Sequence, residues 1–596
     1  MNRGPADPIV EFSTLVEVLR WRALQQSEQR IYTYLVDGEI EGSHLTYAAL
    51  DWQARAIGAL LQSYRASGER ALLLYPTGLE FIAAFFACLY AGVIAVPLPS
   101  PNLAQPQRTL PRLRAITHDA HPSVALTTSA ILSKIERLFP QAPELQALHW
   151  LVTDNVTDSL AQEWQHPTVS RNTLALLQYT SGSTAVPKGV MVSHGNLLHN
   201  SAYISRVFDL TPDSVSVTWL PAFHDMGLTN GIIQPVYIGR RCFLMPPQSF
   251  LQRPVRWLQA ISRYKATVSG GPNFAYEMCA RKITPEQRDT LNLSSWHAAY
   301  NGAEPIRVDT LKRFAEAFAP CGFHPSFFYP CYGLAEATLM VSCGLPKNEP
   351  VFYTTQAAAL EQNRVVEASE QQPQVRTLVG CGHARFDTKI VIVHPESLTQ
   401  GAPDEVGEIW VSSPSVAQGY WNRPEETART FRAYLADTGE GPFLRTGDLG
   451  FLQDGELFVT GRLKDLIIIG GRNLYPQDIE LTVGQSHPAI RLGCCAAFSV
   501  DIADEECLIV VAEVESRYRP ERCQQGEDPY AHPQGRLLLD VEAVVRALRR
   551  AVAEEHDVRV HTVALLRAGR IPKTPSGKLQ RRACQARFLD GSLDRL

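Results

Sequence analysis

Short runs of apolar residues alternate with helix-like segments along the first 340 or so residues, and this alternation limits the fold more than any other feature. The runs ALLLY, SVALTTS, LALLQYT, SVSVTWLP and ATVSGGP each have the length of a strand, and turns or amphipathic stretches separate them. Strands that alternate with helices are typical of βαβ units, in which helices cover a parallel sheet. The sequence therefore predicts an α/β fold with covered, largely parallel sheets.

The pattern changes beyond residue 380. The closely spaced runs KIVIVHP, GEIWVSS and ELFVTGR, with turn residues between them, predict a small and more antiparallel β subdomain over about 380–463. We expect residues 1–463 to form one large N-terminal domain that includes this subdomain.

Residues 464–596 are predicted to form a separate α+β domain. LIIIGG, CCAAFSV and LIVVAEV are strand-like, and VEAVVRALRRAVAEEHD is an amphipathic helix. The polar, proline-rich stretch YRPERCQQGEDPYAHPQGR between the last strand and that helix is predicted to be a mobile excursion.

Composition excludes several classes of protein. A chain of 596 residues is too long for a single core, and 45% hydrophobic with 20% charged residues is ordinary for a globular protein. A net charge of -5 gives no overall attraction to nucleic acid or to an anionic membrane. The 12 cysteines include no C-x-x-C pair, which suggests neither a zinc site nor a disulfide framework. Reduced thiols favour a cytoplasmic location.

One apolar run, Phe81–Val96, resembles a membrane segment in composition. It is shorter than the ~20 residues that span a bilayer, and Gly92 divides it into a helix-like and a strand-like part. The N-terminus, MNRGPADPIVEF, has no apolar core and does not match a signal peptide. We therefore predict a soluble chain with no membrane span.

The segment YTSGSTAVPKG, residues 179–189, lies between a buried strand and a second strand. Its small residues leave backbone N–H groups free, so a polyphosphate could approach closely. Ser181, Ser183 and Thr184 add hydroxyl donors, Thr184 could also reach a metal, and Lys188 adds a positive charge. The spacing differs from the P-loop of ATPases, and taken alone such a segment is more often an ordinary loop.

Three further turns carry residues suited to a nucleotide. NGAEPI, residues 301–306, could line an adenine with its backbone. YGLAEAT, residues 332–338, offers the ring of Tyr332 for stacking and the carboxylate of Glu336 for Mg²⁺. RTGDLG, residues 445–450, places Asp448 in a turn, where its carboxylate could accept hydrogen bonds from two ribose hydroxyls.

Two basic residues nearer the C-terminus complete the set. Arg462 offers a planar donor group for ribose or phosphate oxygens, and Lys578 lies in the turn of PKTPSGKLQRRA. Each feature also has a simpler interpretation, in which Asp448 is a turn residue and Glu336 begins a helix. Lys578 with its neighbouring arginines could equally be a solvated basic tail or a weak nucleic-acid patch.

Taken together and in this order, these motifs resemble those of the adenylate-forming enzymes, which include acyl-CoA synthetases, luciferases and peptide-synthetase adenylation domains. Ala185 stands where that family usually has glycine. The resemblance implies ATP and Mg²⁺ as cofactors, and a C-terminal domain that rotates about a hinge at Lys464. It implies a nucleotide site made of Thr180, Ser181, Gly182, Ser183, Thr184, Lys188, Asn301, Gly302, Ala303, Glu304, Tyr332, Gly333, Asp448 and Arg462. It implies catalytic roles for Lys578, Glu336, Thr184 and His224, with Glu336 and Thr184 as metal ligands.

Two segments narrow the resemblance to the fatty acyl-AMP ligases. WLPAFHDMGL and SGGPNFAYEMC look like their counterparts in that group, and apolar residues fill them, namely Phe223, Met226, Leu228, Phe274 and Met278. Such residues are also common in an ordinary core. The implied substrate-binding residues are His224, Asp225, Met226, Gly227, Gly271 and Phe274. His224 either gates the reacting carboxylate or is a structural histidine.

The third narrowing feature is a long connection. Between Glu336 and Gly380 lie 43 residues, including the strand-like pieces VFYTT and RVVEA. The part over about 347–378 resembles the insertion that marks fatty acyl-AMP ligases and disfavours the orientation used for coenzyme A. The implied acceptor is the phosphopantetheine thiol of a separate acyl carrier protein. The first alternative is a fatty acyl-CoA ligase, and the second is a catalytically silent acyl-binding protein. We expect no nucleic-acid partner.

Overall fold

The computed structural model describes residues 12–101, 106–180, 187–469, 471–502, 505–520, 537–574 and 577–596. The loop residues 181–186 and most of the proline-rich stretch lie outside these ranges. The first elements are α1 (Leu15–Gln25), β1 (Arg30–Val36), β2 (Ile40–Thr46), α2 (Tyr47–Ser63), β3 (Arg70–Tyr75), α3 (Leu79–Ala91) and β4 (Ile94–Pro99). They are followed by α4 (Pro106–Ala120), β5 (Val124–Thr127), α5 (Ser129–Ile135), α6 (Pro143–Gln146), β6 (His149–Val152), β7 (Leu174–Thr180), β8 (Lys188–Ser193) and α7 (His194–Val207).

The next segment contains β9 (Val215–Thr218), α8 (Asp225–Leu228), α9 (Gln234–Ile238), β10 (Arg241–Leu244), α10 (Pro247–Gln252), α11 (Val255–Tyr264), β11 (Val268–Gly271) and α12 (Asn273–Lys282). It ends with α13 (Pro285–Arg288), β12 (Ala298–Asn301), α14 (Val308–Phe318), β13 (Phe328–Gly333) and β14 (Met340–Cys343). A π-helical turn, Thr229–Ile233, joins α8 to α9. Short 3₁₀ turns cover Glu136–Gln141, Thr153–Asn155, Asp158–Gln162, Ala319–Cys321, Pro325–Phe327, Ala335–Ala337 and Leu463–Asp465.

Beyond residue 350 strands predominate. These elements are β15 (Phe352–Gln356), α15 (Ala357–Leu360), β16 (Val375–Val379), β17 (Lys389–Val393), β18 (Gly407–Ser412), α16 (Pro424–Phe431), β19 (Leu444–Gln453) and β20 (Glu456–Arg462). The last ones are β21 (Ile467–Ile469), β22 (Arg472–Leu474), α17 (Pro476–Gln485), β23 (Ile490–Ile502), β24 (Glu505–Val514), β25 (Tyr518–Pro520), β26 (Leu537–Leu539), α18 (Val541–His556), β27 (Val560–Leu566) and α19 (Arg581–Leu589).

Two large sheets dominate the described part of the chain. One has the strand order β14-β13-β12-β11-β9-β10-β1-β2 and the other the order β6-β5-β3-β4-β7-β8. All neighbouring pairs are parallel except β13–β14, β1–β2 and β7–β8, which lie at the edges. Buried side chains on both faces of each sheet belong to the core clusters. The predicted α/β fold with covered, largely parallel sheets is therefore confirmed.

The run Phe81–Val96 forms α3 and β4, as its composition predicts. Gly92 ends α3 in the left-handed conformation, with φ 68°, which allows the chain to reverse into the strand. Every residue of α3 except Glu80 is buried. No described helix is both long enough and apolar enough to cross a bilayer.

The smaller sheets lie later in the chain. β17-β18-β19-β20 form an antiparallel sheet, and β23-β24-β27 form a mixed sheet next to α17, α18 and α19. Two core clusters contain only residues from Ile467 onward, so this C-terminal part has apolar packing of its own.

The long connection forms a hairpin of β15 and β16. The prediction that RVVEA is a strand is wrong. Residues 364–368 make only isolated bridges, Arg364 with Glu405 and Glu367 with Thr355, because residues 375–379 form the ladder with β15 instead.

Candidate active site

A single cavity of about 1980 Å³ collects side chains from distant parts of the chain. The carboxyl ends of β4, β7, β9, β11, β12 and β13 face it, which is where open α/β sheets bind ligands. Of the predicted site residues it is lined by Thr180, Lys188, His224, Asp225, Met226, Phe274, Gly302, Ala303, Glu304, Tyr332, Gly333, Glu336, Asp448, Arg462, Lys464 and Lys578. Ser181, Gly182, Ser183 and Thr184 lie outside the described residues.

Three predicted residues are buried behind the cavity wall instead of lining it. Asn301 is fully buried at the end of β12, Gly227 packs on the carbonyl of Pro221, and Gly271 packs on the ring of Trp219. A Cβ atom on Gly271 would lie 2.7 Å from that ring. The two glycines permit this close packing.

Asp448 lies at the centre of a hydrogen-bonded cluster. It faces Arg462 across the β19–β20 ladder, and the Arg462 Nε donates to its Oδ1 at 2.9 Å. The Tyr332 hydroxyl donates to its other carboxylate oxygen, also at 2.9 Å. The charge of Asp448 raises the pKa of Arg462, so the guanidinium is firmly cationic. The carboxylate is thereby fixed at the cavity wall.

Glu408 supports the turn that carries Asp448, and no local pattern in the sequence marks it. This buried residue of β18 accepts hydrogen bonds from Arg445 Nη2 at 2.7 Å and from Trp410 Nε1 at 3.0 Å. Its second oxygen accepts from the backbone N–H of Gly447 at 3.1 Å. A carboxylate satisfied by several donors holds the turn in one geometry.

We expect Glu408→Gln to lower the free energy of unfolding by about 1–2 kcal/mol, because a neutral amide replaces the buried, charged acceptor of the Arg445 hydrogen bonds. Denaturant unfolding followed by tryptophan fluorescence measures the change. Glu405→Gln is the control, since Glu405 is exposed and its side chain accepts a hydrogen bond from the nearby Ala402 N–H. An equal effect of the two substitutions would contradict this role.

Glu336 lines the cavity on a short 3₁₀ turn after β13. Its Oε1 accepts a hydrogen bond from the Tyr420 hydroxyl at 2.8 Å. Burial raises the pKa of Glu336, although this hydrogen bond opposes the rise. Tyr420 lies 84 residues away in sequence, so sequence reasoning missed it. Such a half-buried carboxylate fits a divalent cation.

Lys188 begins β8, directly after the loop. Its ammonium pairs with Glu426 of α16 and lies 4.9 Å from the centre of the Tyr420 ring. The basic residue at the end of the loop and the Glu336 carboxylate therefore share Tyr420 as a neighbour, and this end of the cavity is a single connected cluster.

His224 and Asp225 form a close pair at the start of α8. The His224 Nδ1 is 2.6 Å from Asp225 Oδ1, which also accepts from the Met226 N–H at 2.7 Å. Burial alone would raise the pKa of Asp225, but His224 and then Lys578 outweigh it and lower the value to about 2. Asp225 is therefore ionised at neutral pH.

Lys578 reaches the same region from the C-terminal part of the chain. Its positive charge acts on both Asp225 and Glu304 and favours their ionised forms. Nearby, Arg581 is half-buried and donates to Glu480 at 2.7 Å and to Asp465 at 2.9 Å. Arg581 is thus a paired structural residue, unlike a residue of a solvated basic tail.

The turn after β12 approaches β13 closely. A Cβ atom on Gly302 would lie 2.9 Å from the Cys331 carbonyl oxygen, and Ala303 has φ 69°, in the left-handed region. The carboxylate of Glu304 accepts from the Phe274 N–H at 2.6 Å, and burial raises its pKa. This contact links the turn after β12 to α12.

An apolar region of the cavity adjoins His224. Of the predicted apolar residues, Phe223, Met226, Phe274 and Met278 line it, whereas Leu228 belongs to the protein core. Trp219, Leu220 and Leu251 add further apolar surface. A charged cluster beside an apolar wall suits an amphiphilic acid.

Comparisons with known proteins agree with this geometry. Residues 19–421 match the model of the AMP-binding enzyme family. The chain is 52% identical to the medium-chain-fatty-acid–[acyl-carrier-protein] ligase JamA of Moorena producens, over 98% of this chain and 96% of that protein. It is 37% identical to a long-chain-fatty-acid–AMP ligase of Mycolicibacterium smegmatis, over 98% and 95% of the two chains.

A solved structure shows the same fold. The fatty acyl-adenylate ligase from L. pneumophila, in complex with acyl adenylate and pyrophosphate, superposes with a TM-score of 0.74 at 40% identity. The match covers 97% of this chain and 96% of that one.

Proposed function

This chain belongs to the AMP-binding enzymes and, among them, to the fatty acyl-AMP ligases, and on that premise we propose that it activates a fatty acid with ATP and passes the acyl group to a carrier protein. The observation that carries the proposal is that Asp448, Glu336 and Lys578 meet in one cavity beside an apolar wall. The chain aligns with 96% of the length of the ligase from Moorena producens and with 95% of the length of the one from Mycolicibacterium smegmatis.

The first reaction joins two anions. An oxygen of the fatty carboxylate forms a bond to the α-phosphorus of ATP, the bond to the bridging oxygen breaks, and pyrophosphate leaves. No base is needed, so the site has to offset negative charge and hold the reactants in line. We assign this to Lys578 and the donors of the 180–188 loop, with Asp448 and Arg462 holding the ribose and the 301–304 and Tyr332 turns holding the adenine.

Mg²⁺ belongs to the proposal as well. Glu336 would hold it, with Thr184 as a further ligand, and the cation would neutralise part of the phosphate charge. The half-buried carboxylate of Glu336, hydrogen-bonded through one oxygen to Tyr420, suits that role. His224 would sit beside the reacting carboxylate, held in place by its pairing with Asp225.

In the second reaction a thiolate attacks the acyl carbonyl carbon and AMP leaves. We propose the phosphopantetheine thiol of a separate acyl carrier protein as the nucleophile, as the name of the ligase from Moorena producens states for that enzyme. The apolar walls at Met226 and Phe274 would hold the acyl chain during both steps.

We further propose that the chain divides at residue 463 and that Lys464 is the hinge. The separate apolar clusters beyond Ile467 support the division. Lys464 lies in the 3₁₀ turn between β20 and the C-terminal sheet, and its carbonyl accepts a hydrogen bond from Arg582 at 3.2 Å.

The long connection is proposed to hold the C-terminal part in the orientation used for adenylation. Glu361 makes two hydrogen bonds with Arg472, at 2.8 and 3.1 Å. Arg376 of β16 lies 3.0 Å from the carboxylate of Asp478. Both contacts link the 347–378 segment to residues beyond the hinge, which supports a carrier protein over coenzyme A as acceptor.

The function is tested by incubating the enzyme with ATP, Mg²⁺ and a mixed fatty-acid pool, with mass spectrometry of the products. Acyl-adenylates and fatty-acid-dependent pyrophosphate are expected, followed by acylation of a phosphopantetheinylated carrier protein. Abundant acyl-CoA, formed as fast as the adenylate when coenzyme A is added, would instead assign a fatty acyl-CoA ligase. No pyrophosphate with any acid would indicate an acyl-binding protein.

The double substitution Glu361→Ala/Arg376→Ala should raise acyl-CoA formation about 5–30-fold, because each partly exposed ion pair contributes about 0.5–1 kcal/mol to the adenylation orientation. The measured quantity is the ratio of acyl-CoA to acyl-adenylate. Glu367→Ala is the control, since Glu367 is an exposed acid of the same segment. An unchanged ratio in the double variant would contradict the proposal that these two contacts hold the C-terminal part in the adenylation orientation.

Point substitutions are preferable to deleting the segment. Tyr353 of β15 packs on the rings of Phe451 and Phe458, with ring centres 5.6 and 5.5 Å apart. A deletion would also remove that packing, so the loss of the two ion pairs could not be distinguished from a loss of stability.

A further inference from the structure

Helix α4 places two charged residues against the strand that leads into the phosphate loop. Arg112 and Asp119 are seven residues apart, two helical turns, and therefore lie on the same face. The Tyr179 hydroxyl donates to Asp119 Oδ2 at 2.6 Å, and Arg112 Nη2 donates to the Tyr179 carbonyl at 3.3 Å. Arg423 contacts Asp119 at 3.4 Å. The helix is thus fixed against Tyr179, the residue before Thr180.

Arg112 is a poorly satisfied cation. It lines the same cavity as Thr180 and Lys188, and its Nε is buried without a hydrogen-bond acceptor in the described structure. No carboxylate of the described residues lies within 4 Å of it. Burial lowers the pKa of the guanidinium, which reflects the cost of holding a charge away from water.

Two other cations at this end of the cavity are paired with carboxylates. Lys188 is paired with Glu426, and Arg462 with Asp448. A buried charge is ordinarily paired, so a cation that lacks a carboxylate inside a ligand cavity indicates an anionic ligand. Arg112 uses one of its five donors on Tyr179, and the contact fixes where the rest of the guanidinium lies.

We propose that Arg112 binds the phosphate groups of ATP that leave as pyrophosphate. This inference rests on the proposed function. When the bond from the α-phosphorus to the bridging oxygen breaks, its electron pair stays on that oxygen, so negative charge grows on the leaving group. A guanidinium next to the loop supplies planar donors for that charge without a proton transfer. The guanidinium could bind a second anion by the same kind of contact, namely the phosphodiester of the carrier protein's pantetheine arm.

ATP–pyrophosphate exchange with a saturating fatty acid tests the proposal. Arg112→Ala should raise the KM for pyrophosphate about 10–100-fold, the effect of losing a charge-assisted hydrogen bond, while the KM for the fatty acid stays unchanged. Arg112→Lys should recover part of the loss. The control is Arg114→Ala, since Arg114 lies on the same helix but pairs at the surface with Glu144. Equal pyrophosphate KM values for Arg112→Ala and the wild type would overturn the proposal.

A measurement on the unaltered enzyme tests the proposal independently of whether the variants fold. Phenylglyoxal modification of Arg112, followed by peptide mass mapping, should be slowed by pyrophosphate and not by AMP. Modification at the same rate with and without pyrophosphate would overturn the assignment.

The two phosphate sources are separated by starting from isolated acyl-adenylate and a phosphopantetheinylated carrier protein. Transfer by Arg112→Ala should match the wild type if the ligand is pyrophosphate. Impaired transfer with normal exchange would assign the anion to the carrier arm and overturn the proposal. A wild-type enzyme without fatty-acid-dependent exchange would instead refute the proposed function.

Discussion

Replacing Lys578 with alanine should lower the rate of acyl-adenylate formation by a factor of about 10²–10³, the usual cost of removing a group that stabilises transition-state charge. The charge of Lys578 already acts on Asp225 and Glu304 at the cavity, so it is available in the region where we propose that the carboxylate meets the α-phosphate. Single-turnover formation of acyl-AMP, with ATP and fatty acid saturating, isolates this step from product release.

The effect should be confined to the first reaction. Transfer of the acyl group from isolated acyl-adenylate to a carrier protein involves no pyrophosphate, so Lys578→Ala should retain most of that rate. Arg570→Ala is the matched control, because Arg570 is an exposed cation of the same segment that pairs with Asp594. An equal loss in both reactions would point to a folding defect and contradict a role specific to adenylation.

Much of the fold was predictable because the signals are local. The buried run of α3 and β4 is recognisable from its composition and from Gly92, and the strand ends carry the small and polar residues typical of ligand loops. In contrast, the 364–368 segment is strand-like in composition, yet β16 forms the ladder with β15. Strand pairing depends on tertiary partners, which propensity does not specify.

The residues of the candidate site also differ in whether a local sequence motif marks them. Asp448 and Glu336 lie in compact motifs and were predictable, whereas their supports Glu408 and Tyr420 were not. Tyr420 reaches Glu336 only through the fold, since no spacing rule joins residues so far apart. Sequence motifs also failed to separate residues that line the cavity from Asn301, whose side chain is fully buried.

Asp448→Asn should raise the KM for ATP about 100-fold, with a much smaller change in kcat. Two ribose hydroxyls would lose a charged acceptor. A hydrogen bond to a charged group contributes about 1.5–3 kcal/mol, and the neutral amide, which keeps one acceptor oxygen, retains part of that energy. The ribose lies away from the reacting phosphorus, so its contacts are the same in the ground state and the transition state. Loss of a contact that binds the ground state and the transition state equally raises KM and leaves kcat unchanged. Initial rates of acyl-AMP formation over a range of ATP concentrations measure both constants.

The control for this substitution lies on the same hairpin. Asp454→Asn makes the same chemical change at the exposed turn between β19 and β20, where φ is 51° and asparagine is well tolerated. It should leave the KM for ATP unchanged. Asp448→Asn also leaves Arg462 without its carboxylate, yet this guanidinium is 46% exposed, so water can solvate it and the fold should persist. A fall in kcat with an unchanged KM would contradict the ribose assignment, because it would place Asp448 at the reacting phosphate.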